Sequence, residues 1–255
     1  MRARRSSGST STWAARSAAE HWLDAQEGDL VWTTSHAGWP DWLWHGVLGP
    51  WSVGAEVVID DRAFDPEQRL DLLQSLAVTV LCQPPTDYRA IGKAGANLPG
   101  ALPRLRHAVS TGEALDAGLV EDYRDGSGIT LRDGLTQAEC GLLAGTLPRM
   151  PVRPGVLGVA APGHDVSVID ASGYVVEAGE EGELALLGRP PTLFTEYLGA
   201  PEATAAAFRD GWYLTGDLAR WELKDGAIRR RYRTAGWKGT LMVITTVGHL
   251  AEVAW

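Results

Sequence analysis

The chain has 255 residues, 45% hydrophobic and 22% charged, with 23 Lys+Arg against 32 Asp+Glu and a net charge of −9. That is enough chain for one large domain or two small ones, and the acidic balance argues against a nucleic-acid-coating surface. No apolar run reaches the roughly 18 residues of a membrane span, and two distant cysteines, Cys82 and Cys140, exclude a disulfide scaffold or four-cysteine zinc site and suit a reducing, cytoplasmic setting.

The charge is uneven. Residues 1–16 carry four Arg and no acid, and residues 221–255 carry six Lys+Arg and three acids, so the acid is concentrated in 17–220. The first dozen residues, MRARRSSGSTST, have no secretory apolar region and read as a disordered basic tail. An Ala-rich, helix-favouring stretch follows from Trp13 to Leu23. Leu30–Thr34 reads as a strand, Trp42–Leu48 as a helix and Glu56–Asp60 as a strand. Asp65-Pro66-Glu67 is a helix start: an N-cap, a proline in the first turn and an acid beside the helix dipole. That helix leads to a strand at Val78–Cys82, stopped by Pro84-Pro85.

The alternation continues with a strand at Arg106–Ser110, a helix at Asp116–Tyr123 and a strand at Ile129–Arg132. Strands alternating with helices imply βαβ units and a parallel sheet. Beyond Pro151 the texture changes to antiparallel strands, His164–Asp170 and Glu183–Leu187, with a short helix from Pro201 to Ala207. The expected architecture is therefore α/β: a parallel-sheet subdomain with flanking helices over 13–150, then a smaller antiparallel β-rich subdomain over 151–220. Residues 1–12 and 221–255 lie outside both.

Ligands of a parallel α/β sheet sit beyond the carboxyl ends of its strands. Ser110-Thr111-Gly112-Glu113-Ala114 follows one strand and could let a flat ligand approach the backbone; taken alone it is more often a plain strand-to-helix turn. Asp133-Gly134-Leu135-Thr136-Gln137-Ala138-Glu139 follows another and could bind phosphate and metal, although spacing alone favours a solvated loop. Asp217, after a Thr-Gly turn, could accept two hydrogen bonds from a ribose diol or simply cap its turn. Trp39 beside Gly38 is the tryptophan best placed to line an apolar pocket, the others serving as core. The six histidines show no metal-ligand spacing.

In order along the chain, HWLDAQEGDLVWTTSHAGW (21–39), GPWSVGAEV (49–57), FDPEQ (64–68), VTVLCQPPTDYR (78–89), LRHAVSTGEAL (105–115), ITLRDGLTQAE (129–139), RPGVLG (153–158), GEEGELAL (179–186) and AAAFRDGWYLTGDLAR (205–220) resemble the adenylate-forming acyl-CoA synthetases, especially the medium-chain and acetyl-CoA synthetase-like branch. The resemblance implies the central and C-terminal part of the large domain of an enzyme that activates a short- or medium-chain carboxylic acid with ATP and Mg²⁺. The acyl adenylate so formed is then transferred to coenzyme A. By the same resemblance, Gly112, Glu113 and Ala114 lie along adenine. Asp133 and Gly134 belong to the nucleotide-binding motif, and Glu139 is the acid near the metal and the reacting phosphate. Asp217 takes the ribose, Arg233 matches a second ribose or phosphate arginine, and Trp39 sits beside the acyl pocket.

The departures are specific. The family motif Asp-Gly-Tyr-Gly-Gln-Thr-Glu here carries Leu135, Thr136 and Ala138. Leu135 cannot stack on adenine as tyrosine does, and Ala138 cannot donate to the α-phosphate, a loss that typically costs about 2.7–4 kcal/mol in a transition state. The family's phosphate loop, N-terminal subdomain, hinge and C-terminal domain with its lysine have no counterpart in these residues. Ser6-Ser7-Gly8-Ser9-Thr10 has the loop's composition without its lysine. The chain alone is therefore expected to be weak or inactive. The alternatives are a non-catalytic nucleotide- or acyl-binding module, a subunit completed by another polypeptide, or the remnant of an interrupted gene whose basic ends are out of frame. Missing sheet partners would leave an apolar face exposed, and an exposed sheet edge would favour self-association.

Overall fold

The structure is a computed structural model and describes residues 8–95, 102–153, 155–221 and 228–230. Residues 1–7 of the expected tail, Arg233 and the rest of 231–255 lie outside the described residues.

The first helix, α1, spans Gly8–His21 and so reaches back into the stretch expected as tail. Its small buried residues Ala15, Ala18 and Ala19 allow close packing on the helical segment that follows β1 (Leu30–Thr33). That segment was expected as one helix over 42–48. It consists instead of α2 (Pro40–Leu43), a π-helical turn (Trp44–Leu48) and α3 (Gly49–Ser52). After β2 (Glu56–Val58), α4 (Pro66–Ser75) begins as its sequence dictates: the Asp65 carboxylate accepts the Gln68 N–H at 2.8 Å.

The strand expected at 78–82 is β3, Val80–Gln83. Pro84-Pro85 does more than end it. Pro85 also opens α5 (Pro85–Ala94), a helix absent from the sequence expectation, which buries Tyr88 and Ile91. β4 (His107–Ser110) leads to α6 (Ala117–Ser127), capped by Asp116 on the Leu119 N–H at 2.9 Å.

β5 runs Leu131–Gln137, which corrects the reading of 133–139 as a loop. The reason is a change of partner. As far as Asp133 the strand pairs in parallel with β4; from Gly134 it pairs antiparallel with β6 (Gly141–Gly145). β6 in turn pairs with β7 (Val159–Ala160). The first sheet has the order β2-β1-β3-β4-β5-β6-β7, and the division expected near residue 150 falls within it. A second, antiparallel sheet contains β8 (Val166–Ile169), β9 (Glu181–Leu187), β10 (Phe208–Arg209) and β11 (Trp212–Trp221), ordered β10-β11-β9-β8, with β12 (Ile228–Arg230) also paired to β11. The short α7, Pro201–Ala206, precedes β10.

Three of the apolar clusters among the described residues hold these layers. Leu81, Ala108 and Leu131 pack one sheet face against Leu73 of α4, Tyr88 and Ile91 of α5, and Leu119 and Tyr123 of α6. Val31, Val80 and Val109 pack the other face against Ala18, Ala19 and Trp22. Leu135, Leu143 and Ala144 of the first sheet share a core with Val168, Leu184, Leu186 and Tyr213 of the second, so the two sheets meet at the end of β5. Each fully buried leucine contributes about 1.5–3 kcal/mol. Several large apolar side chains stay exposed, among them Trp39, Leu43 and Trp51 on and beside the helical segment after β1.

Candidate functional site

The carboxyl ends of β4 and β5 and the middle of β11 converge. Against β9, β11 pairs Leu214 with Ala185 and then Leu218 with Glu183, so the register shifts between them and Thr215-Gly216-Asp217 bulges from the ladder. The bulge is locked from several directions. The Thr215 hydroxyl donates to the Leu184 carbonyl at 2.6 Å, the Gly216 N–H donates to Glu183 Oε1 at 3.0 Å, and the Asp217 N–H donates to Thr215 Oγ1 at 3.1 Å. Gly216 has φ 75°, a left-handed conformation that disfavours any other residue. The half-buried Asp217 side chain meets the last residue of β5: Gln137 Nε2 donates to Asp217 Oδ2 at 3.0 Å.

The turn after β4 lies on the same edge. Gly112 and Ala114 are exposed, and the partly exposed Glu113 carboxylate accepts from the Thr86 hydroxyl at 2.7 and 2.8 Å. Thr86 of α5 thus engages the acid of the turn. Thr111 is hydrogen-bonded to Thr136 of β5, hydroxyl to hydroxyl, at 2.7 Å. This ties the turn to the strand that carries Gln137.

Asp133 and Gly134 sit inside β5. Asp133 Oδ1 accepts the Gly134 N–H at 3.0 Å, and its carbonyl accepts the Trp22 indole at 3.2 Å. Glu139, in the turn beyond β5, accepts the Tyr197 hydroxyl on Oε1 at 2.7 Å, and its carbonyl accepts the Phe194 N–H at 2.6 Å. Trp39 ends the loop after β1 and is 45% exposed, with its N–H on the His36 carbonyl at 2.8 Å. Arg233 lies outside the described residues. Leu135 is buried in the core shared by the two sheets.

The structure thus brings together Gly112–Ala114, Asp133–Gly134 and Asp217, with Glu139 two residues past Gln137. Gln137, Thr86 and Tyr197 were not singled out from sequence. Gln137 lay within a highlighted motif, but its partner is 80 positions away. Also unforeseen is the pairing of Gln83 with Ser110, in register at the ends of β3 and β4. Both are fully buried, and neither side chain has a hydrogen-bond partner among the described residues.

An open parallel sheet whose strand ends converge on a clamped carboxylate is the architecture of a ligand-binding α/β protein. The chain belongs to the AMP-binding enzyme family, whose model matches residues 7–198. It is 36% identical over 205 residues to the uncharacterized acyl–CoA ligase YtcI of Bacillus subtilis, a match covering 80% of this chain and 39% of that protein. It is 34% identical over 209 residues to the mitochondrial acyl-coenzyme A synthetase ACSM3 of Homo sapiens, covering 80% of this chain and 35% of that one. The structure of a Brucella canis acyl-CoA synthetase superposes with a TM-score of 0.81 at 28% identity, over 89% of this chain and 42% of that chain. A benzoate CoA ligase from Burkholderia xenovorans shares the fold, with a TM-score of 0.83 at 23% identity over 90% of this chain and 46% of that one. The chain spans less than half the length of these relatives.

Proposed function

We propose that this chain carries the nucleotide- and acid-handling part of an ATP-dependent, AMP-forming acyl-CoA synthetase. The observation that carries the proposal is the Asp217 carboxylate, held by Gln137 on a locked bulge, with exposed Gly112 and Ala114 on the turn that Thr111 ties to the same strand end. In this reading the ribose diol hydrogen-bonds to Asp217, adenine lies along Gly112, Glu113 and Ala114, and Asp133 and Gly134 form the strand beneath. Arg233 is the proposed second ribose or phosphate contact, and Trp39 is the aromatic beside the acyl group. The substrate is a short- or medium-chain carboxylic acid. Its carboxylate attacks the α-phosphorus of ATP and pyrophosphate departs; the thiolate of coenzyme A then attacks the acyl carbon of the adenylate and AMP leaves.

Among the described residues, no group of three or more His, Cys, Asp or Glu could hold a metal on its own. Glu139 offers one hard carboxylate, oriented by Tyr197. That suits Mg²⁺ carried largely by phosphate oxygens and water, where it would offset phosphate charge. Also among the described residues, no helix is long and apolar enough to cross a membrane. Cys82 and Cys140 are free and buried, in keeping with the cytoplasmic location we propose.

Two substitutions favour a second reading, a binding module with little turnover. Leu135 is part of the shared core, and Ala138 offers only a methyl group where the family has a donor to phosphate. Thermal-shift titration of the full chain with AMP, ATP and acyl-CoA tests both readings. An AMP-linked rise in melting temperature supports nucleotide binding; no shift with any of the three overturns it.

A further inference from the structure

We infer that Gln137 is a positioning residue that sets the orientation of the Asp217 carboxylate for a ribose diol; the inference rests on the ribose assignment proposed above. The Gln137 amide is used at both ends. Nε2 donates to Asp217 Oδ2 at 3.0 Å and to the Thr215 carbonyl at 2.9 Å, while Oε1 accepts the Tyr213 hydroxyl at 2.9 Å. Chemistry fixes which way round the amide lies. Flipped, its oxygen would face a carbonyl and a carboxylate, two acceptors with no proton between them.

The geometry gives this amide a task the bulge does not perform. A diol pairs with a carboxylate only when both oxygens lie in the right plane. A carboxylate already held in that plane spares binding the cost of selecting a rotamer. The bulge backbone already has its own locks in the bonds from Thr215 to Leu184 and from Gly216 to Glu183. Gln137 adds a donor aimed at the Asp217 side chain itself. It comes from β5 in the first sheet, and the carboxylate comes from β11 in the second. Through Thr136 and Thr111, the same strand end is tied to the turn at 112–114. The adenine-side and ribose-side elements are thus held in one frame.

The test compares binding of AMP and of its 2′,3′-dideoxy analogue to the full chain by calorimetry. The proteins are wild type, Asp217→Ala, Gln137→Met and Gln137→Glu. Loss of a hydrogen bond to a charged group predicts that Gln137→Met weakens AMP about tenfold or more. The analogue should bind within about twofold of wild type, since it makes no demand on Asp217. Gln137→Glu keeps the acceptor for Tyr213 but faces Asp217 with a like charge, and is expected to weaken AMP at least as much. Because each variant is read as the ratio of the two ligands, a general loss of stability cancels. The inference is overturned, and the ribose reading survives, if Asp217→Ala loses the preference for AMP but Gln137→Met and Gln137→Glu retain it. A lowered melting temperature with the preference intact overturns it equally, since Gln137 would then be only a pin between sheets. If wild type shows no preference, the ribose reading falls and this inference with it.

Discussion

The ring of Trp22 occupies the space that a side chain on Gly134 would need. A Cβ at Gly134 would lie 2.3 Å from Trp22 Cζ2, while the same indole donates its N–H to the Asp133 carbonyl at 3.2 Å. Trp22 is fully buried, so it has nowhere to go. Gly134→Ala is therefore expected to destabilise the protein by about 1–3 kcal/mol or more. Urea unfolding measures this; a midpoint equal to wild type would show that the ring can yield.

Asp217→Ala should abolish any AMP-linked thermal stabilisation. At a ligand concentration near a hundred times Kd, wild type gains about 2.7 kcal/mol from binding. The variant should gain close to none, measured against its own melting temperature without ligand. A persistent AMP shift in Asp217→Ala would remove Asp217 from the ribose site.

Gln83 is fully buried and its amide has no hydrogen-bond partner among the described residues. An unsatisfied buried polar group costs about 1–3 kcal/mol, and an apolar group of similar shape removes that cost. Gln83→Leu is expected to stabilise the chain by about 1 kcal/mol in chemical denaturation. Destabilisation instead would mean that the amide has a partner in solution, such as a buried water.

Burial pushes the pKa values of His45, His107 and His164 down. Burial outweighs the opposing influence of Asp41 on His45, of the Trp22 carbonyl on His107, and of the Leu142 and Leu143 backbone on His164. The unfolded chain takes up these protons near pH ~6.5, whereas the folded chain does so only at lower pH. Their contribution to stability is thus complete above that pH and is lost as pH falls toward the folded values. Melting temperatures should drop between pH ~7.5 and ~5.5, and His45→Asn should drop less. An equal drop in His45→Asn would assign the effect to other groups.

Acid-dependent exchange of pyrophosphate into ATP is expected to be near background for a polypeptide of these 255 residues. Ala138→Thr, which restores a hydroxyl beside Glu139, should raise whatever rate remains. Robust exchange by the unaltered chain would show that the α-phosphate needs no donor from position 138.

The alternation of strands and helices as far as β5 was legible because apolar periodicity and caps are local properties. The Asp65 and Asp116 caps bond to amides only three residues away, and both helices start where they indicate. The order of motifs likewise indicated the family and pointed to Gly112–Ala114, Glu139 and Asp217. Local signals were silent about α5, where two prolines signalled only a stop, and about β6 and β7. They also cast 133–139 as a loop. Those seven residues are polar and glycine-containing by composition, yet most form a strand because β4 and β6 supply its hydrogen bonds from either side.

By itself, then, the sequence determined where α4 and α6 begin, most of the parallel strands and the candidates proposed above for nucleotide binding. Only the tertiary structure decided that Gln137 would hold Asp217 and that Trp22 would bar a side chain at Gly134. Neither relationship lies within the reach of one element. The first joins two sheets across 80 positions, and the second joins a residue just beyond α1 to the middle of β5. Such contacts arise from packing layers together, and packing depends on the whole chain at once.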